Sequence, residues 1–161
     1  GHRLTDRAMG GAREARGVVV DVYELSCDRE RLDLALIHGW LSQSYWSPGI
    51  PRATLEKAIA NSICFGIHGP GGQVGFGRVI TDRATFAYLA DVFVLEVHRG
   101  RGLSKRLMEA VVAHPELQGL RRFMLATRDA HGLYAQYGFT PLVNPAYMME
   151  VLRPDIYRPG A

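Results

Sequence analysis

Cysteine is scarce in this chain: two among 161 residues, Cys27 and Cys64, with no C-x-x-C pair. The six histidines show no H-x-x-x-H spacing either. A bound zinc or similar ion needs three or four such ligands converging, so a metal centre is not expected. The thiols suit a reducing, cytoplasmic setting, with Cys64 inside the apolar run SICFGI as a small buried hydrophobe. No stretch approaches the ~18 apolar residues that cross a bilayer, and no membrane partner is expected. Excess charge is small as well. A net charge of +3 and a pI near 9.1 fit an anionic small ligand better than nucleic acid, whose binders spread basic residues along a face. No repeat, low-complexity tract or linker divides the chain, and its length suits one domain.

What is present is an ordinary globular composition, 47% hydrophobic and 22% charged. Residues 1–17, GHRLTDRAMGGAREARG, lack apolar periodicity and any apolar core of a secretory signal, so they read as a poorly ordered basic tail ahead of a domain over 18–161. VVVDVYELS (18–26) is rich in β-branched residues and reads as a strand. Asp28 can cap a helix carrying Leu32, Leu36, Ile37, Trp40 and Leu41 at the 3.6 period. SQSYWSPGIP (42–51) is a loop, and Pro51 suits the first turn of a second helix with Leu55, Ala58, Ile59 and Ser62 on one face. SICFGIHG (62–69) and QVGFGRVI (73–80) flank a PGG turn as an antiparallel hairpin. TFAYLADVFVLEV (85–97) is nearly continuously apolar, as a central strand covered on both faces would be. Leu103, Leu107 and Val111 then mark a helix, LRRFMLAT (120–127) a strand, DAHGLYAQYGF (129–139) a short helix ending at Gly138, and AYMMEVL (146–152) a last strand. The expected order is βααβββαβαβ, a mixed α/β fold with a central antiparallel meander.

Chemistry concentrates in VHRGRGLSKRL (97–107), two glycines and four cations between the apolar strand and a helix. A helix starting near Gly102 leaves its first N–H groups unpaired and its dipole favourable to an anion. Gly100 and Gly102 let backbone donors approach phosphate oxygens, and Arg99, Arg101 and Lys105 add charge. The spacing does not fit a Walker loop. The dinucleotide fingerprint fails because Lys105 occupies its third glycine position. A different pyrophosphate turn, R-x-x-G-x-[GA], is met at Arg99 and Gly102, with Ser104 in its last place. A basic surface turn that merely caps a helix is the other reading.

Residues 85–152, with this RGRGLS turn and the downstream segment LYAQYGF, resemble the GNAT superfamily of acyl-CoA-dependent N-acyltransferases. The resemblance extends more loosely over 18–152. It implies a mostly antiparallel, twisted central sheet flanked by helices. It also implies acetyl-CoA as co-substrate and an acetyltransferase acting on a primary amine of a small molecule or a peptide. By resemblance, the backbone at Phe93 and Val94 on a splayed strand would hold the pantetheine and polarise the thioester carbonyl. The backbone from Gly100 through Arg101, Gly102, Leu103 and Ser104 to Lys105, behind Arg99, would hold the pyrophosphate. Tyr134 matches the tyrosine that protonates the departing thiolate. Thr127 stands where the family usually has an asparagine and is counted with the cofactor contacts. His131 replaces a residue that is often apolar and reads better as a surface or packing histidine than as a base.

An attacking amine must lose a proton. Asp91, in the otherwise apolar YLADVFVL, is the most unusual acid, because a buried carboxylate needs a partner. It would be the base, a site for the substrate ammonium, or a partner of an arginine such as Arg78. Tyr45 and Trp46 fall where the superfamily builds its substrate rim, and a Trp anchoring the loop is the alternative. A non-catalytic acyl-CoA-binding sensor of the same fold is the rival reading of the whole chain. An exposed final strand would also give a second copy an edge to pair with, in a homodimer.

Overall fold

A computed structural model describes residues 22–159. The expected tail over 1–17, and the start of the expected first strand at 18–21, lie outside the described residues. Nine regular elements follow: β1 (Glu24–Ser26), α1 (Leu34–Leu41), α2 (Arg52–Ala60), β2 (Ile63–Gly69), β3 (Gly72–Thr81), β4 (Phe86–Val94), α3 (Leu103–Ala113), β5 (Arg122–Leu125) and α4 (His131–Ala135). The strands form one sheet in the order β1-β2-β3-β4-β5. The first four run antiparallel, and β5 joins β4 in parallel. This is the mixed α/β fold that the sequence pattern implies, and helices flank the sheet as the resemblance implies. Among the described residues no helix is long and apolar enough to cross a membrane.

Two apolar layers sandwich the sheet. Leu103, Leu107 and Val111 fall at i, i+4 and i+8 of α3 and pack on Phe65, Ile67, Val79, Ala87 and Leu89. On the other face Ile37 and Leu41 of α1 meet Leu55 and Ile59 of α2 over Cys64, Phe76 and Phe93. Each buried Val, Leu, Ile or Phe side chain contributes about 1.5–3 kcal/mol relative to leaving it in water. Gly77 matters to the first layer, because a Cβ there would sit 3.1 Å from Leu107 Cδ2.

The first helix starts later than its apolar period suggests. Asp28 does accept a cap bond, from Glu30 N, but it closes only the short 3-10 turn Arg29–Arg31. Asp33 then provides a second cap, accepting from Leu36 N, while its own N–H donates to Gln73 on β3. Two aspartates five residues apart compete, and the one tied to the sheet sets the helix. Asp82 closes the β3–β4 turn by accepting from the N–H groups of Ala84, Thr85 and Phe86 and from the Thr85 hydroxyl. Those donors hold its carboxyl well below the usual carboxylate range.

The expected strand over 146–152 does not form. Pro145–Tyr147 is a 3-10 turn, in which Tyr147 N and Met148 N donate to Asn144 O and Pro145 O. A strand needs a paired neighbour; Pro141 and Pro145 remove backbone donors just ahead of the β-prone residues, and Met149 to Leu152 make no backbone hydrogen bond among the described residues. The end of the chain returns to the body at Tyr157, which lies against Gly49 and the α1–α2 layer.

The two thiols should behave differently. Cys27 is exposed, whereas Cys64 is buried on β2, where burial pushes its pKa up to about 11. With a disulfide reagent near neutral pH, one thiol should react quickly in the folded chain and the second only after unfolding. Equal rates for both would contradict this placement of β2.

Candidate active site

The site arises where two neighbouring strands part. The β4–β5 ladder runs from Phe86↔Arg122 to Leu89↔Leu125 and stops, while β4 continues to Val94. Residues Ala90 to Val94 therefore have an open edge. A bulge in the same stretch turns the strand: the β3–β4 register shifts between Phe76 and Arg78, and Asp91 takes a left-handed φ of 58°. Ala87 and Leu89 face α3, but beyond the bulge Phe93 faces α1 and α2. A cavity of about 680 Å³ fills the wedge between β4 and the segment from Leu125 to Tyr134.

At the top of the wedge Leu95 N donates to Val74 O on β3 (2.8 Å). Strand alternation then turns the N–H and C=O of Val94 to the opposite, open side. The Val94 carbonyl accepts from Arg99 Nε at 2.9 Å. Arg99 thus ties the glycine turn to the end of β4, and the Val94 N–H is left facing the cavity. Gly100 and Gly102 have φ of 78° and 73°, and Gly102 caps α3 without a side-chain bond. The first helical bond across the cap is Arg106 N to Gly102 O. The N–H groups of Leu103, Ser104 and Lys105 have no acceptor among the described residues. A Cβ on either glycine would meet nothing within 4 Å, so the turn presents open backbone to solvent. This is the donor set an oxyanion of a pyrophosphate needs. Leu103 contributes its N–H there while its side chain packs in the core.

Tyr134 of α4 is 8% exposed and lines the cavity. Its hydroxyl has no hydrogen-bond partner among the described residues. Burial first, and then the nearby Tyr45 phenol, hold that hydroxyl above the ordinary tyrosine value, so it remains a proton donor at neutral pH. Three contacts place α4. Thr127 Oγ1 accepts from Ala130 N and starts the helix. Tyr137 donates its hydroxyl to Lys105 O in the first turn of α3. Gly138, at φ 93°, ends the segment. His131 is exposed and lies outside the cavity lining.

The opposite wall is aromatic. Trp40 stacks on Phe93 with ring centroids 4.5 Å apart, and Trp46 packs against both Trp40 and Tyr45. The Arg128 guanidinium lies 4.0 Å over the Tyr45 ring. Asp91 binds this wall to the sheet. One carboxylate oxygen accepts from Trp46 Nε1 at 2.9 Å, and the other is 2.7 Å from Arg78 Nε. Arg78 also donates to Ser62 Oγ. The sequence places Asp91, Tyr45 and Trp46 at the site but gives no sign that they form one network across 45 positions. Trp40 and Tyr88, which also line the cavity, go unnoticed as ordinary apolar positions. The one available signal for Trp40 is its place at the end of a helix leading into an aromatic loop.

Comparison with known proteins adds independent findings. The sequence profile of the acetyltransferase (GNAT) domain matches residues 60–141. A Gibberella zeae protein assigned as an acetyltransferase is 34% identical over 137 residues, covering 71% of this chain and 76% of that protein. A crystal structure from Xanthomonas campestris pv. campestris, of a protein assigned to GNAT acetyltransferases, is 58% identical. It covers 84% of this chain and 96% of its own, with a TM-score of 0.82. An acetyltransferase from Clostridium acetobutylicum solved with acetyl-CoA has 13% identity and a TM-score of 0.59, over 81% of this chain and 94% of its own, a likeness of fold alone.

Proposed function

The chain belongs to the GNAT acetyltransferase family, and on that premise we propose that it transfers an acetyl group from acetyl-CoA to a primary amine of a small molecule or peptide. The amine attacks directly, with both substrates bound. The observation that carries this reading is the wedge, where one cavity joins open backbone donors, an inward strand N–H and a buried phenol.

In this reading the N–H groups from Leu103 to Lys105 hold the pyrophosphate, and Arg101 and Lys105 add charge around it. The pantetheine lies along the open edge of β4 at Phe93 and Val94. The Val94 N–H donates to the thioester carbonyl as negative charge develops there, and fixed donors of this kind cost no reorganisation during the reaction. Tyr134 donates its proton to the leaving sulfur as general acid. Trp40, Tyr45 and Trp46 wall the acceptor side, and holding amine and thioester together can supply ~7–11 kcal/mol of the barrier reduction. Asp91 works through Trp46, which it positions, because both of its oxygens are already engaged. The amine proton then leaves to water in the open cavity. No group of three or more His, Cys, Asp or Glu poised for a metal occurs among the described residues, and none is needed for these steps.

Calorimetric titration with CoA, followed by thiol-release assays over an amine panel, tests the reading directly. No binding at millimolar CoA would sink it. The turn is expected to act through its backbone more than its charge. Gly102→Val forces a β-branched residue into left-handed φ at a cost of about 1–2 kcal/mol or more. By forcing the turn out of the left-handed backbone that aims its N–H groups, it should weaken CoA binding at least ~tenfold, whereas Arg101→Ala should weaken it only modestly. A folded Gly102→Val protein with normal CoA affinity would overturn the assignment of the turn.

A further inference from the structure

The segment that follows α4 is apolar and largely uncovered. Met149 is 95% exposed, Val151 80% and Leu152 69%. Val143 and Tyr147 are exposed too, so the apolar surface is contiguous along the chain and not scattered. From Met149 to Leu152 the backbone makes no hydrogen bond among the described residues; the nearest bonds are Met148 N to Pro145 O on one side and Ile156 N to Arg153 O on the other. An unpaired, β-prone stretch of four residues is thus anchored at both ends, at the Pro145–Tyr147 turn and at Tyr157 against Gly49.

The same chain carries a matching edge. β5 is the last strand of the sheet, also four residues long, and among the described residues it pairs only with β4. Beside its free edge lies a cavity of about 410 Å³ between Arg122–Met124 and the segment from Tyr137 to Met148. Charge agrees with shape. Arg121 and Arg122 are exposed at the edge, and among the described residues neither has a carboxylate partner, nor does Glu150, in the middle of the uncovered stretch, have a cation. An uncovered edge with an adjacent apolar groove is a template for strand addition.

We propose that the protein is a two-fold dimer in which residues 149–152 of each copy add as a strand to the free edge of β5 in the other. A second copy is the occupant because both halves of the contact, with complementary charge, are present on every chain. Arm and edge then satisfy each other twice about one axis, which closes the assembly at two. A membrane surface does not suit an arm bearing Glu150, and a small ligand would leave the arm uncovered.

Sedimentation and light scattering of the full chain over a dilution series should give twice the 17.9 kDa chain mass. Met149→Glu and Leu152→Glu touch little of the monomer and should return it to 17.9 kDa with unchanged circular dichroism and unchanged CoA binding. Val151→Pro removes a ladder N–H and should do the same. Glu150→Arg and Arg122→Glu should each raise the dimer Kd by about tenfold or more, and combining them should restore it. A wild-type monomer throughout the series would overturn the proposal. So would a dimer that survives the Met149→Glu/Leu152→Glu pair, or a charge swap that fails to rescue.

Discussion

Replacing Tyr134 with phenylalanine is expected to lower kcat by roughly 10²–10⁴-fold while leaving CoA affinity nearly unchanged. The ring fills the same space among Leu133, Phe139 and the α3 layer, so the fold should hold. What disappears is an O–H that burial keeps protonated and that no group among the described residues occupies. The leaving thiolate must then take its proton from solvent. The raised pKa of Tyr134 sets the sign of the pH dependence: the donor stays competent through the ordinary tyrosine value near 10, so wild-type kcat should show no tyrosine-dependent loss below about pH 10. Steady-state kinetics with thiol detection, beside calorimetry with CoA, measures both quantities. Unchanged turnover in Tyr134→Phe would remove the acid assignment. Unchanged turnover that is also zero in the wild type would favour a sensor over an enzyme.

Breaking the Arg78–Asp91 pair should have the largest effect on stability. The side chains are 15% and 8% exposed, so solvent screens them little. Arg78→Met leaves a carboxylate held by one indole N–H, and losing one partner of a buried pair costs about 3–5 kcal/mol. That is a large share of the ~5–15 kcal/mol that holds a domain together. Arg78→Met/Asp91→Leu should recover much of the loss, because the uncompensated charge is gone. Urea denaturation of the set measures this, and a single-variant loss under ~1 kcal/mol would show the pair to be weak. Asp91→Asn separates positioning from base catalysis. It keeps an acceptor for Trp46, so under positioning the acceptor KM changes little and the kcat pH profile keeps its shape. Loss of the acidic limb of that profile with an intact fold would instead identify Asp91 as the base.

The pieces of this protein that the sequence determines by itself are those with local causes. The 3.6-residue period placed Leu103, Leu107 and Val111 of α3 on one buried face, and the apolar run 85–97 marked the central strand that continues past its neighbour. Glycines at 100 and 102 announced left-handed backbone at a helix start, and LYAQYGF marked the short helix that carries Tyr134. These depend on side-chain period and allowed φ, which each segment carries with it. Tertiary structure alone decided where β5 stops, which opens the wedge, and where the bulge at Asp91 falls, which joins Arg78, Trp46 and Trp40 in one wall. It also withheld the last strand: AYMMEVL has the residues for one, but its first residues close a 3-10 turn and Met149 to Leu152 find no backbone partner among the described residues. Period and glycine position belong to the sequence, whereas the partner of a strand or of a buried charge lies many residues away, and only the folded chain selects it.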